Sequence, residues 1–456
     1  MMVSRPQTMA ALCLLAAAAA CGDAPTAPAE TGNNDALVAA VREAAVPLTG
    51  AAADYDPLLA LTAGARYALL GEQTHGTHEF YDERARISRR LVEEQAFTAI
   101  AVEADWPEAE RVDLYVRGRG TDAGAEQALG NFSTFPRWMW ANTDVRDFVG
   151  YLRARNASLP EAARVGFYGL DLQSMYASAD AVVRYLEGVD PAAAARARER
   201  YACFDPFRLE QPEFYGTETA HGDQPGCEAP AQAQLAEMEA RYAAAASADA
   251  AALDALFSAL MNARSVERGE AYYRAWAGGG NAGWNLRDEH MVETLERIVA
   301  HGARLGRAVK VVVWAHNTHV GDVRATPDAG GGEVSLGMLL RQRHPGEVVL
   351  TGFTTYRGTV MAAPSWGAAP ERYPLTEEAT GGHAELFHRT GLGDLLLVLR
   401  GRPALAETFS DYRRQRAVGV VFDPMRELQA NYIATRLAEQ FDAVVHVDQT
   451  RAVVPL

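Results

Sequence analysis

Glu72, His75 and Glu79 place acid and imidazole groups together on a glycine-flanked turn within YALLGEQTHGTHEF, residues 67 to 80. The turn follows an apolar strand candidate and opens a polar helix, a place where charged groups build a site more readily than a core. An imidazole poised near neutral pH can take a proton from water when a carboxylate sets its tautomer and supports its cation. Further along, AVEADWPEAE puts Glu103 and Asp105 after an apolar run, and GFYGLDLQS puts Asp171 and Gln173 after another. VVVWAHNTHVGD ends in His316, Asn317, His319 and Asp322. Four strand ends thus offer acids or imidazoles, which a parallel sheet would gather at one edge.

Arg84 belongs with this set. In HEFYDERARISRRLVEEQ the apolar stripe runs through Phe80, Ile87 and Leu91, and Arg84 fills the missing step. A guanidinium in that seam is costly unless a carboxylate or a substrate oxyanion pairs with it, and Glu103 on a neighbouring strand is the expected partner. Plainer readings stand beside the chemical one. Arg84 could snorkel to solvent, His75 could cap the following helix, one of His316 and His319 could be a core histidine, and Glu103 could serve only to pair with Arg84. Asp171 and Asp322 stand evenly between site and scaffold. The chain has no GxSxG elbow, no HExxH, no P-loop, and no GxGxxG after its first strand, so no Ser or Cys nucleophile is evident.

The elements that must position these groups alternate. Apolar strand candidates fall at 67–71, 98–104, 164–170, 309–315, 347–353, 395–400, 418–422 and 443–447, with helices expected at 78–95, 107–117, 144–155 and 174–188. The first four runs are nearly continuous in apolar residues, as parallel strands covered on both faces are. The expectation is an α/β fold with an open, mostly parallel sheet and flanking helices. Strand pairing can turn mixed after Glu347, where Gly358 and Pro364 punctuate a hairpin. From about 191 to 301 the rhythm gives way to an alanine-rich helical insertion of two to four helices, expected to form one wall of a cleft.

The N-terminus reads as processing signal. Residues 1–20 pair Arg5 with ALCLLAAAAA, a stretch too short to span a bilayer, and Cys21 follows Ala19-Ala20. This is similar to a bacterial lipoprotein signal peptide, with an ordinary secretory signal as the rival, and it implies export with a lipid anchor at Cys21 as the sole membrane attachment. Residues 21–34 form a flexible tether rich in Ala, Pro and Thr. Residues 35–456 are then the folded body. A net charge of -16 argues against a nucleic-acid partner. Lys310 is the sole lysine, a bias with no mechanistic reading. In an oxidising compartment Cys203 and Cys227 would staple a loop, the alternative being a catalytic thiol.

The ordered motifs GEQTHG with Glu72 and His75, Arg84 on the next helix, Glu103 in VEADW, NLRDEHM with Arg287, Asp288 and Met291, and AHNTH with His316 and His319 resemble the erythromycin esterase family. The resemblance covers nearly the whole mature chain. It implies a mixed α/β core with helical additions around a deep cleft, and hydrolysis of a carboxylic ester, with the macrolactone of erythromycin-like antibiotics as substrate. By the same resemblance His75 is the general base for a hydrolytic water, Glu72 and Glu103 orient it, and Arg84, His316 and His319 position groups and stabilise negative charge, with no cofactor or metal. The partner is then a small-molecule ester. Two rivals remain: a metal-dependent hydrolase, since Glu72, His75, Glu103, His316 and His319 are also respectable metal ligands, and a non-catalytic periplasmic protein binding a glycan or macrolide. For the latter, the aromatic clusters FSTFPRWMW at 132–140 and AYYRAW at 271–276 would line the site.

Overall fold

A computed structural model describes residues 34–132, 135–220, 222, 224–245 and 249–456. Residues 1–20, Cys21 and the tether as far as residue 33 lie outside the described residues. The first described element is the helix Asn34–Ala44.

The apolar runs form a nine-stranded sheet made of β1 (Val46–Pro47), β2 (Tyr67–Leu70), β3 (Ala99–Asp105), β4 (Gly166–Asp171), β5 (Val311–Trp314), β6 (Val348–Ala362), β7 (Glu371–Leu375), β8 (Leu395–Val398) and β11 (Ala443–Thr450). The order is β1-β8-β11-β6-β2-β5-β3-β4, with β7 beside β6. From β11 to β4 every pair is parallel. The antiparallel pairs are confined to β1 with β8, β8 with β11, and β6 with β7. This is the mixed but mostly parallel α/β sheet that the runs imply.

Successive residues of the central strands feed opposite cores, which explains why the runs are continuous. Ala68, Leu70, Ile100, Val102, Val312 and Trp314 pack into one apolar cluster. Tyr67, Leu69, Ala99, Ala101, Val311 and Val313 pack into a second on the other face. Both faces are covered by helices, as parallel sheets require. Helices His78–Glu94, Trp106–Arg117, Thr143–Ala157 and Met175–Val189 lie within a residue or two of the expected spans.

Between Pro191 and Arg304, five α-helices occur among the described residues: Pro191–Tyr201, Pro212–Ala220, Glu228–Ala244, Ala250–Ala277 and Ala282–Arg304. The helices from Met175 to Ala277 share a third apolar cluster that includes Met175, Leu186, Tyr201, Met238 and Leu260. A disulfide joins Cys203 to Cys227 across it.

One strand expectation fails. Residues 418–422 form no strand and make only single bridges, Thr74 with Val418 and Ala363 with Val421. The strands nearby are β9 (Arg413–Arg416) and β10 (Tyr432–Thr435), a separate antiparallel pair. The sequence RRQR carries no apolar signal because its buried members, Gln415 and Arg416, are both polar, Arg416 being ion-paired with Glu427 at 2.7 Å.

Candidate active site

The end of β2 is shaped by close backbone approaches. A Cβ at Gly71 would collide with the Asn317 side chain, and one at Gly76 with the Met361 backbone, so glycine is required at both ends of the turn. Between them, Glu72 is fully buried and divides its carboxylate. Oε1 meets His75 Nδ1 at 2.8 Å, and Oε2 accepts from Arg84 Nη2 at 2.7 Å. Neutral His75 therefore donates from Nδ1 to Glu72, which leaves Nε2 as the basic nitrogen. Among the described residues Nε2 takes no hydrogen bond, and His75 retains 7% of its surface exposed. The Tyr81 hydroxyl donates to the His75 carbonyl at 2.8 Å, fixing the turn to the helix that follows.

Arg84 does not pair with Glu103. The sheet places β5 between β2 and β3, so Glu103 stands two strands from the turn. The side chain of Arg84, in the second turn of its helix, leans back toward the helix N-terminus and reaches Glu72. It is fully buried, with its guanidinium 4.4 Å from the Tyr81 ring centroid and 4.9 Å from that of Trp314. Two aromatic faces and one carboxylate thus supply the compensation that the apolar seam demanded.

Glu103, at the end of β3, joins a second network. Its Oε2 accepts from the His316 backbone N–H at 2.8 Å, and its Oε1 accepts from Arg287 Nη2 at 2.7 Å. Arg287 also grips Asp171 at the end of β4, with Nη2 at 2.6 Å and Nε at 3.0 Å. His319 completes the group, with Nδ1 2.9 Å from Asp288 and Nε2 3.3 Å from Glu103. Trp284 stacks on the His319 ring at a centroid distance of 4.3 Å. Sequence alone places Arg287 and Asp288 in NLRDEHM and assigns them no role. The signal that marks them is a basic and an acidic residue side by side on a helix just ahead of the strand that ends in AHNTH.

Burial opposes the charge on His319, but Asp288 and Glu103 outweigh it and raise the pKa to about 9. Its Nε2 lies between Glu103 and Arg287 Nη1, the latter at 3.0 Å, so the protonated ring donates to Glu103 and the neutral ring accepts from Arg287. Burial likewise opposes the Glu103 carboxylate, yet His319 and Arg287 hold its carboxyl well below the usual range. His316 behaves oppositely. Burial, and then the neighbouring His75, pushes its pKa down to about 3. Its Nε2 donates to the Gln73 carbonyl at 3.2 Å and its Nδ1 accepts from the Thr318 hydroxyl at 2.8 Å, so both nitrogens of the neutral ring are engaged. The His75 and His316 rings lie 4.9 Å apart, which links the two networks.

All six expected residues, Glu72, His75, Arg84, Glu103, His316 and His319, therefore meet at the carboxyl ends of β2, β3 and β5, and Arg287, Asp288 and Asp171 join them. Other candidates do not. Asp322 pairs with Arg324 and Arg341, Glu79 pairs with Arg451, and Asn317 bonds the Phe353 backbone. Asp105 accepts from the Ser174 N–H, and Gln173 is held through its carbonyl by Tyr273. Of the aromatic clusters, Trp138, Trp140 and Tyr273 are buried packing residues. Ser133 and Thr134 lie outside the described residues. Among the described residues no three His, Cys, Asp or Glu side chains are arranged to hold a metal ion.

The arrangement can withdraw a proton at His75 Nε2 and can offer positive charge from His319 and Arg287 nearby, the needs of water addition to a carbonyl.

Known proteins share this frame. A protein from Bacillus cereus superposes with a TM-score of 0.75 at 19% identity, covering 93% of this chain and 99% of that one. A succinoglycan biosynthesis protein does so with a TM-score of 0.74 at 19% identity, over 92% and 98% of the two chains. A mutant of the erythromycin esterase EreC in its open conformation gives 0.62 at 18% identity, over 87% and 93%. In sequence, the chain is 22% identical to erythromycin esterase type II of Escherichia coli over 87% of its own length and 92% of that protein. The erythromycin esterase family model matches residues 92–450, a span that holds Glu103, Asp171, Arg287, Asp288, His316 and His319, while Glu72, His75 and Arg84 precede it. On a match over most of its length, the chain belongs to the erythromycin esterase family and is a hydrolase of that family.

Proposed function

We propose that the protein hydrolyses a carboxylic ester, with a macrolide macrolactone as its substrate class, through a water activated by His75. The observation that carries this reading is the Glu72–His75 contact of 2.8 Å, which fixes the tautomer and leaves Nε2 free as base. Water, deprotonated at Nε2, attacks the ester carbonyl. The oxyanion forms beside the positive charge of His319 and Arg287, and the leaving alkoxide takes the proton back from His75 Nε2 as the C–O bond breaks. Arg84 is fully buried behind Glu72 and acts through it rather than on substrate. His316, with both ring nitrogens engaged, orients its neighbours. The name of the Escherichia coli relative supports the macrolide class.

The test is incubation with macrolides of two ring sizes and with simple aryl esters, followed by mass spectrometry for the gain of one water. Replacement His75→Ala should abolish turnover while folding stays near normal, and unchanged turnover would sink the assignment.

We also propose export, with the lipid anchor at Cys21 holding the enzyme at the membrane. Cys21→Ser should then move the protein from the membrane fraction to the soluble one.

A further inference from the structure

Two chain segments, one anchored on Glu103 and Tyr81 and the other on Gly76 of the His75 turn, meet each other at their far ends. The first is residues 135–140. Its Trp140 donates from Nε1 to the Glu103 carbonyl at 3.0 Å and meets Tyr81 edge-on. The second is residues 361–366. Its Met361 N–H donates to the Gly76 carbonyl at 3.0 Å. Phe135 and Trp366, the outer ends of these segments, close the frame through a ring contact of 4.8 Å at 61°. Each ring is five residues from its anchor, so neither stands more than ~18 Å from that anchor along the chain.

Trp366 stays 54% exposed despite this contact. A half-exposed indole, fixed edge-on by a second ring on a segment anchored at the His75 turn, is built to receive a flat apolar or glycosyl surface. The other aromatic residues of the 135–140 segment, Trp138 and Trp140, are buried, so packing already explains them. Packing does not explain Trp366.

We propose that Phe135 and Trp366 form an aromatic rim that holds the non-reacting body of a bulky ester while its carbonyl reaches His75. The inference rests on the esterase reading above and deepens it. The rim selects for substrate size and leaves the chemical step to the charged networks. A small ester that fits beside His75 has nothing to lay against the rim.

The experiment compares a 14-membered macrolactone with p-nitrophenyl acetate on the full mature protein and its Trp366→Ala, Trp366→Phe and Phe135→Ala variants. Trp366→Ala should raise KM for the macrolactone about tenfold with kcat little changed, leave the small ester within about twofold, and be largely restored by Trp366→Phe. Equal losses on both esters, or an unchanged macrolactone KM, would overturn the rim. Macrolactone binding is measured in parallel by calorimetry on His75→Ala, with and without Trp366→Ala. Binding lost on removing the indole supports the rim even if no ester is cleaved, an outcome that would defeat the esterase reading alone. Absence of macrolactone binding with Trp366 intact, or binding indifferent to it, overturns the rim.

Discussion

Arg287 Nη2 lies 2.7 Å from Glu103 Oε1, tying a helix to a strand end 184 residues earlier in the chain. The same guanidinium holds Asp171 in a forked contact, so one cation binds the ends of β3 and β4 together. Arg287→Met leaves two buried carboxylates facing one another, and should cost about 3–5 kcal/mol of stability. Arg287→Lys keeps the charge but loses the fork. It should retain most of the stability and lose most of the turnover, as read by denaturant unfolding beside kcat.

The two late histidines predict opposite pH dependences. His319, raised to about 9, binds its proton more tightly in the folded state than in the unfolded. Its contribution to stability is complete below its ordinary value near 6.5 and is lost as pH rises through about 9. His316, lowered to about 3, is neutral when folded. Its contribution is complete above about 6.5 and is lost as pH falls toward 3. Melting temperature against pH should therefore fall on the alkaline side in the wild type. His319→Gln should flatten that limb and leave the acid limb in place.

The strand ends were legible because four apolar runs stop at charged residues, and a parallel sheet brings such ends to one edge. What sequence could not supply was the order of the strands. Glu103 looked like the partner of Arg84 because β3 follows β2 in the chain, yet β5 inserts between them. Arg287 and Asp288 sit on a helix rather than a strand end, so the rule that found the other residues passed over them. Residues 418–422 have strand composition, but their backbone is spent on single bridges to Thr74 and Ala363. The true strands β9 and β10 are polar, which apolar periodicity does not detect.

Chelation separates the water-activating reading from a metal-dependent one. Arg84 and Arg287 already supply positive charge to Glu72, Glu103 and Asp171, the carboxylates that a divalent ion would need. Turnover should survive exhaustive dialysis against a chelator and gain nothing from added zinc or manganese. A return of activity that tracks added metal would decide for the rival.

Reduction of the Cys203–Cys227 disulfide should destabilise the helical region without altering the site, since the bond closes a loop with a sequence separation of 24 residues. A loop of that length gives about 3.5 kcal/mol on the chain-entropy model. The double variant Cys203→Ser with Cys227→Ser should lower the melting temperature and leave kcat on a small aryl ester near the wild-type value. A matching loss of kcat would reveal coupling between the insertion and the turn.

Glu72 and Arg84 form a fully buried pair at 2.7 Å, and the pair rather than either member sets the position of His75. Glu72→Gln keeps the size of the side chain but weakens support for the imidazolium, so kcat should fall about 10²–10⁴-fold. Arg84→Met leaves Glu72 as a buried, uncompensated carboxylate and should cost about 3–5 kcal/mol. The double variant removes both charges together. Its stability should recover much of that loss, because a buried ion pair replaced by groups of similar volume is often neutral. Its turnover should not recover, because His75 still lacks a carboxylate. Stability read by denaturant unfolding and kcat on an aryl ester should therefore diverge in the double variant. Their recovery together would mean that Glu72 serves His75 only through packing.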